Sequence, residues 1–330
     1  MTARLVDRYG RVARDLRVSL TDRCNLRCTY CMPAEGLDWM ASTHVLATDE
    51  VCRLVSLAVR DLGVEQVRFT GGEPLLRADL AAIVGHTAAL DPRPSIALTT
   101  NGLSLARKAE RLAGAGLDRV NVSLDTVDRT EYAAVTRRDR LDDALAGLQA
   151  AQAAGLTPVK VNAVLGPGRL GDAVPLLELC LEAGYELRII EQMPLDAGHT
   201  WERDRMVTAG DVLEELGHRF TLAPADEARG SAPAQRYTVD GGPGTVGIIA
   251  SVTRPFCGDC DRVRLTADGR IRTCLFAQEE TDLLTPLRAG ATDGELAGLW
   301  RAAMLGKQPG HGIDDPSFLQ PARPMSAIGG

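Results

Sequence analysis

Three thiols sit in one short loop, Cys24-Asn25-Leu26-Arg27-Cys28-Thr29-Tyr30-Cys31. Their C-x3-C-x2-C spacing lets them ligate three corners of a cubane iron–sulfur cluster and leave the fourth iron bare. A cluster that only carries electrons normally takes four thiolates, so the missing ligand lets another molecule bind that iron. The alternative is a zinc knuckle or free buried thiols, although zinc sites usually use four ligands at paired C-x2-C or C-x2-H spacing. A second set, Cys257-Gly258-Asp259-Cys260 followed by Cys274, again supplies three cysteines and lacks a fourth. A zinc site completed by His199 or another histidine is the alternative there. Cys52 and Cys180 lie in apolar helical patterns and read as small core hydrophobes.

Other residues extend this chemistry. In Thr70-Gly71-Gly72-Glu73-Pro74 the glycines lack a Cβ, so backbone can come close to a ligand; an ordinary Gly-Pro turn is the alternative. Arg17, Arg68, Lys160 and Arg188 occupy polar positions inside strand-like runs, and alternation puts Arg262 and Arg264 on one face of another. A buried cationic cluster repels itself unless an anion fills it. Arginine forks with a lysine point charge suit a triphosphate. Solvated or carboxylate-paired arginines are the alternative for any one of them.

Short β-branched runs alternate with amphipathic ones, as βα units of a parallel sheet require. Strands are expected at 16–20, 66–70, 95–99, 119–124, 158–165 and 186–191, and helices at 50–62, 80–90, 104–115, 141–154 and 171–183. Gly63, Gly116, Gly155 and Gly184 stand where helices end. Six strands are too few for a closed eight-stranded barrel and fit an open, partial parallel β/α barrel with a lateral gap. Past 194 the pattern breaks: a helix near 209–216, β-like runs at 236–239 and 245–252, a hairpin turn at Ala267-Asp268-Gly269 and a last helix near 294–305. The expected division is therefore a barrel at 1–194 and a C-terminal cluster-bearing, substrate-binding extension at 195–330. Active sites form at the C-terminal ends of such strands, so all these motifs are expected at one rim.

A net charge of −7 supplies no global basic field for nucleic acid. No run is long and apolar enough to span a bilayer, and the N-terminal residues lack an apolar signal core. Eight cysteines, six of them in two clusters, suit a reducing cytoplasm rather than a disulfide scaffold.

The cysteine loop, with Tyr30 before its third thiol, resembles the signature of radical S-adenosylmethionine (SAM) enzymes. Further segments resemble the GTP 3′,8-cyclase (molybdenum cofactor biosynthesis protein A) family. They are Leu16-Arg17-Val18-Ser19-Leu20-Thr21-Asp22-Arg23-Cys24, Phe69-Thr70-Gly71-Gly72-Glu73-Pro74, Val120-Asn121-Val122-Ser123-Leu124-Asp125-Thr126, Glu191-Gln192-Met193-Pro194, Pro255-Phe256-Cys257-Gly258-Asp259-Cys260-Asp261-Arg262 and the terminal Ile328-Gly329-Gly330. The resemblance implies two 4Fe–4S clusters, the first at Cys24, Cys28 and Cys31 with SAM, the second at Cys257, Cys260 and Cys274 holding guanine. It implies SAM contacts from Tyr30, Gly72, Ser123 and Met193. Asp125 is the less favoured neighbour of Ser123, because it also reads as a helix N-cap. GTP contacts are implied for Arg17, Arg68, Thr99, Lys160, Arg188, Arg262 and Arg264, and a backbone-only catalytic finger for Gly329 and Gly330. The implied reaction is abstraction of the ribose 3′ hydrogen of GTP and cyclisation onto guanine C8. The implied partners are a flavodoxin- or ferredoxin-type electron donor, a downstream cyclic pyranopterin monophosphate synthase and a second copy in a homodimer. A peptide-modifying radical SAM enzyme with an auxiliary cluster shares the first cysteine set. A non-enzymatic iron–sulfur or zinc-stabilised sensor is the reading from a different class.

Overall fold

Along the central strands every second side chain is apolar, and this apolar set packs under helices. The computed structural model describes residues 4–226 and 228–329. Its strands are β1 (Asp15–Ser19), β2 (Gln66–Thr70), β3 (Ser95–Thr100), β4 (Arg119–Ser123), β5 (Lys160–Leu165), β6 (Glu186–Glu191), β7 (Leu222–Pro224), β8 (Gln235–Val239), β9 (Thr245–Ile249), β10 (Arg262–Leu265), β11 (Arg270–Arg272) and β12 (Thr281–Asp282). Leu16 and Val18, Val67 and Phe69, Ile96 and Leu98, Val120 and Val122, Val161 and Ala163, and Leu187 and Ile189 all join one buried core with helix residues such as Leu54, Val55, Ile83 and Leu176. The alternate set, Arg17, Arg68, Thr99, Asn121, Lys160 and Arg188 among them, faces the other side and lines a cavity.

All strands form one sheet of order β12-β11-β10-β1-β2-β3-β4-β5-β6-β9-β8-β7. Strands β1 to β6 are consecutive and parallel. Between them run α1 (Thr48–Arg60), α2 (Leu80–Ala88), α3 (Ala109–Gly114), α4 (Arg129–Thr136), α5 (Leu141–Ala153) and α6 (Ala173–Ala183). In α1 the first turn carries Asp49 and Glu50, and Glu50 accepts from the Ala47 N–H at 2.7 Å, while Val51, Leu54, Val55 and Ala58 are buried at helical spacing. Gly184 caps α6 with φ +72°, and Gly63, Gly116 and Gly155 also take positive φ.

The C-terminal region lengthens the sheet at both edges. Strand β9 runs parallel to β6 and β10 parallel to β1, and β10 turns back into antiparallel β11 through the expected hairpin. The 245–252 run ends as a strand at Ile249. The buried Glu191 carboxylate accepts from the N–H groups of Val252 and Thr253 at 2.8 and 2.9 Å and draws the chain into a turn. The expected 104–115 helix is split at Lys108, where φ is −124° and the ammonium reaches the Leu75 carbonyl. The sequence reading missed α4, which buries only Tyr132 and Thr136; its signal was Asp128, whose carboxylate caps Glu131 N–H at 2.8 Å. No described helix is long and apolar enough to cross a membrane.

Candidate active site

The cavity inside the curled sheet holds about 910 Å³ and is lined by residues from β1 to β6, β9 and β10 and from both cysteine segments. Register stacks its polar groups. Arg264, Arg17 and Arg68 are direct neighbours on β10, β1 and β2. Asn121 and Lys160 are partners, as are Ser123, Asn162 and Arg188 one step further along. Contrary to the expectation from sequence, the motifs do not all meet at one rim. Cys24, Gly72 and Met193 follow the C-terminal ends of their strands, whereas Arg17, Arg68, Lys160 and Arg262 lie in the first or middle positions of theirs. Side chains of a curled sheet point into its lumen at every level, so the site is two layers deep.

Cys24, Cys28 and Cys31 face the cavity from the loop after β1. The loop turns on Cys31 N–H to Cys28 O at 2.9 Å, and Arg27 and Thr29 donate to the carbonyls of Thr136 and Val135 at the end of α4. Asn101 donates to Cys24 Sγ at 3.9 Å and to Asn25 Oδ1 at 2.7 Å. Burial pushes all three thiols up, Cys31 to about 12, and for Cys28 and Cys31 neighbouring thiolates push further. Three thiols that resist ionisation together would be balanced by a cationic centre bound between them. Among the described residues no three His, Cys, Asp or Glu side chains converge as one metal ion requires. Thiols that share a cavity wall without meeting at a point fit the separate corners of a cluster.

Gly72 needs its missing Cβ for the approach of chain to chain. The Gly72 N–H donates to Thr21 O at 2.6 Å and the Glu73 N–H to Arg23 O at 2.7 Å, which clips the end of β2 to the strand entering the cysteine loop. Glu73 is spent on structure, accepting from Leu75 N, Thr100 Oγ1 and Asn101 N at 2.9, 2.7 and 2.7 Å. Asp125 is not a helix N-cap; Asp128 takes that place. Asp125 accepts from the Tyr30 hydroxyl at 2.8 Å and the Val164 N–H at 2.9 Å, and burial pushes it up to about 6. Ser123 and Met193 face the cavity beside it.

The second cysteine set lines the same cavity. Cys257 and Cys260 bracket a short helical turn, and Cys274 follows β11. Burial, then Cys274, push Cys257 up; for Cys260 burial is outweighed by Arg262 and Lys307, which bring it down. Among the described residues no histidine stands ready to complete a zinc site here. His311 lines the cavity, but its Nδ1 accepts from Ile313 N–H at 3.1 Å and its Nε2 sits 3.0 Å from Ser251 O, so both nitrogens are used. His199 is not among the lining residues.

Arg17, Arg68, Lys160, Arg188, Arg262 and Arg264 all line the cavity, with Thr99. Some are partly paired: Lys160 with Glu186 at 2.9 Å, Arg188 with the same carboxylate at 3.9 Å and Arg17 with Asp15 at 3.9 Å. Pairing leaves a surplus, since Arg17 Nε, Arg68 Nε, and Arg262 Nε and Nη2 are buried without a hydrogen-bond partner. Burial pulls Arg17 down to about 9 and Arg68 to about 10, with neighbouring arginines adding to the pull. Buried donors left unmade are costly, and a polyanion would satisfy them. Arg262 also stacks over Phe256 at 4.6 Å.

The tail enters this layer. Met325–Ile328 forms a helical turn, Met325 N–H donates to Leu195 O at 3.0 Å, and the Ser326 N–H is a partner of the Cys31 sulfur. The Gly329 carbonyl accepts from Arg264, and a Cβ on Gly329 would lie 2.9 Å from Ser19 Cβ, at φ +89°. Gly330 lies outside the described residues. Arg119, which lines the cavity from the first position of β4, and Lys307, beside Cys260, went unrecognised. Arg119 carried the same polar-in-strand signal as Arg68; Lys307 carried none.

Residues 18–180 match the Radical SAM superfamily, and residues 185–313 match Molybdenum Cofactor Synthesis C. A GTP 3′,8-cyclase of Streptomyces coelicolor is 64% identical over 328 residues, covering 99% of this chain and 96% of that protein. The GTP 3′,8-cyclase of Mycolicibacterium smegmatis is 62% identical over 331 residues, covering 99% and 92%. Among solved structures, Streptococcus suis SuiB bound to its precursor peptide SuiA superimposes with a TM-score of 0.62 at 15% identity, over 90% of this chain and 67% of that one. At that identity the likeness concerns the fold alone.

Proposed function

The chain belongs to the GTP 3′,8-cyclase family of radical SAM enzymes, and from that membership we propose that it converts GTP to (8S)-3′,8-cyclo-7,8-dihydroguanosine 5′-triphosphate in molybdenum cofactor biosynthesis. One observation carries the reading at the level of the site: two thiol triplets and a surplus of unpaired buried guanidinium donors share one cavity. Cys24, Cys28 and Cys31 would hold the first 4Fe–4S cluster, and Cys257, Cys260 and Cys274 the second. The first cluster, with SAM, would supply radical hydrogen-abstraction chemistry directed at the ribose 3′ position of GTP. The cofactors carry the hard chemistry, and the protein supplies orientation and exclusion of water.

Tyr30, Gly72, Ser123 and Met193 would frame SAM. In this reading Asp125 orients Tyr30, and Gly72 acts through the loop it clips. Arg17, Arg68, Lys160, Arg188, Arg262 and Arg264 would grip the triphosphate, with Thr99 as a neutral contact. Gly329 and Gly330 would close the site as backbone, with the Gly329 carbonyl held by Arg264. The partial barrel of about six βα units would occupy 1–194 and the cluster-bearing extension 195–330. Reduction would come from a flavodoxin- or ferredoxin-type donor in the cytoplasm, and the product would pass to a cyclic pyranopterin monophosphate synthase. A homodimer is part of the same proposal. The test is anaerobic incubation of reconstituted protein with SAM, GTP and dithionite, followed by mass analysis of the nucleotide. A cyclised GTP isomer with 5′-deoxyadenosine is expected. SAM cleavage with GTP untouched would instead favour a peptide substrate, and absence of SAM cleavage would leave a sensor or binding module.

A further inference from the structure

Lys307 follows the helix Asp293–Leu305 and is only 2% exposed. Its ammonium donates to Arg262 O at 2.8 Å, to Cys260 O at 3.1 Å and to Cys260 Sγ at 3.5 Å. Three donors thus meet three acceptors, yet among the described residues no carboxylate pairs with it. An uncompensated buried ammonium costs several kcal/mol, so an anion must sit close, and the Cys260 sulfur is in reach. Arg11 makes the contrast. It clamps the same loop through Cys257 O at 2.6 Å and the tail through Pro309 O at 2.9 Å, but its charge is met by Asp7 at 2.6 Å and no sulfur contact is formed. One cation holds the loop by backbone; the other also reaches a thiol.

We propose that Lys307 is a positioning residue of the second metal centre, which orients Cys260 and, as its fixed counter-charge, eases reduction of a cluster held there. This rests on the reading of Cys257, Cys260 and Cys274 as cluster ligands. Reduction adds negative charge, and hydrogen bonds to sulfur and nearby charge are among the determinants of cluster potential. Lysine also donates to sulfur while holding the Cys260 and Arg262 carbonyls, so one side chain sets geometry and field together.

The test is a reductive titration of the two-cluster holoprotein followed by electron paramagnetic resonance, with the signal that SAM perturbs assigned to the first cluster. In Lys307→Met the other signal should need a more negative potential, by a reduction equilibrium shifted about tenfold or more, which is about 59 mV for one electron. The SAM-sensitive signal should stay in place, and Lys307→Arg should recover most of the wild-type potential. An unmoved second signal in a fully loaded Lys307→Met protein, or an equal shift of both signals, overturns the proposal. If Lys307→Met fails to load iron, Lys307→Gln and Lys307→Arg decide. Iron kept by arginine and lost by glutamine supports the charge; iron lost by both, or kept by both with the wild-type potential, overturns it. A wild-type protein that loads only about four irons would instead overturn the two-cluster reading itself.

Discussion

Replacing Gly72 with alanine tests whether the turn after β2 must touch the cysteine loop. The added Cβ would lie 2.5 Å from Asp22 O and nearer still to Arg23 O, both backbone atoms, where real Cβ atoms keep about 3.0 Å or more. The two segments must part by at least roughly 0.5 Å, against hydrogen bonds of 2.6 and 2.7 Å that bind them. Cys24 is the residue after Arg23, so the displacement passes directly to the first thiol. Misplacing a reacting group by about 1 Å can cost about a hundredfold, and half that or more predicts a loss of SAM cleavage of roughly ten- to a hundredfold. The assay is 5′-deoxyadenosine release by anaerobically reconstituted protein, with iron content and melting measured alongside. Iron at the second cysteine set and the overall fold should survive, because the closest clashes are with Asp22 and Arg23. Gly114→Ala is the control: its Cβ meets nothing within 4 Å, so it should cleave SAM normally and gain up to about 1 kcal/mol in stability. Wild-type SAM cleavage and iron content in Gly72→Ala would refute the reasoning.

Wild-type protein should load about eight irons, roughly four per cubane, and changing Cys24, Cys28 and Cys31 to alanine should leave about half with no SAM cleavage; full iron retention, or zinc in its place, counts against two clusters. Lys160→Ala or Arg262→Ala should weaken GTP binding by on the order of 1.5–3 kcal/mol, about ten- to a hundredfold, with SAM binding unchanged; unchanged GTP affinity in both would place the phosphates elsewhere. Burial, then Arg188, hold Lys160 below its ordinary 10.5, and a bound triphosphate would raise it. GTP affinity should therefore be full below the free-protein value and weaken as pH rises through it, by up to about tenfold per unit. Lys160→Arg, permanently charged, should flatten that limb, and calorimetric profiles of equal slope would exclude Lys160 from the contact. Deleting Gly329 and Gly330 should spare iron content and most GTP affinity yet lower cyclisation about a hundredfold, since atom placement near 3–3.5 Å is lost; normal turnover would make the glycines an inert end.

Periodicity and spacing between covalent neighbours were enough to read much of this protein. Five of the six central strands start within a residue of expectation, and β5 starts at Lys160 rather than 158. The cysteine triplets, Gly72 and the arginines of β1, β2 and β10 were legible because thiols, a missing Cβ and charge in a strand are each unusual where they stand. Relations between distant segments were not legible. Only the folded sheet brings β10 beside β1, and so Arg264 beside Arg17. Only the fold turns Gly72 against Arg23, spends Asp125 on Tyr30, and delivers Lys307 from the end of a late helix to Cys260. Local pattern is set by backbone geometry over a few residues, whereas such pairings depend on how layers pack across the whole chain. A lone lysine after a helix looks like any solvated charge until packing removes the water around it.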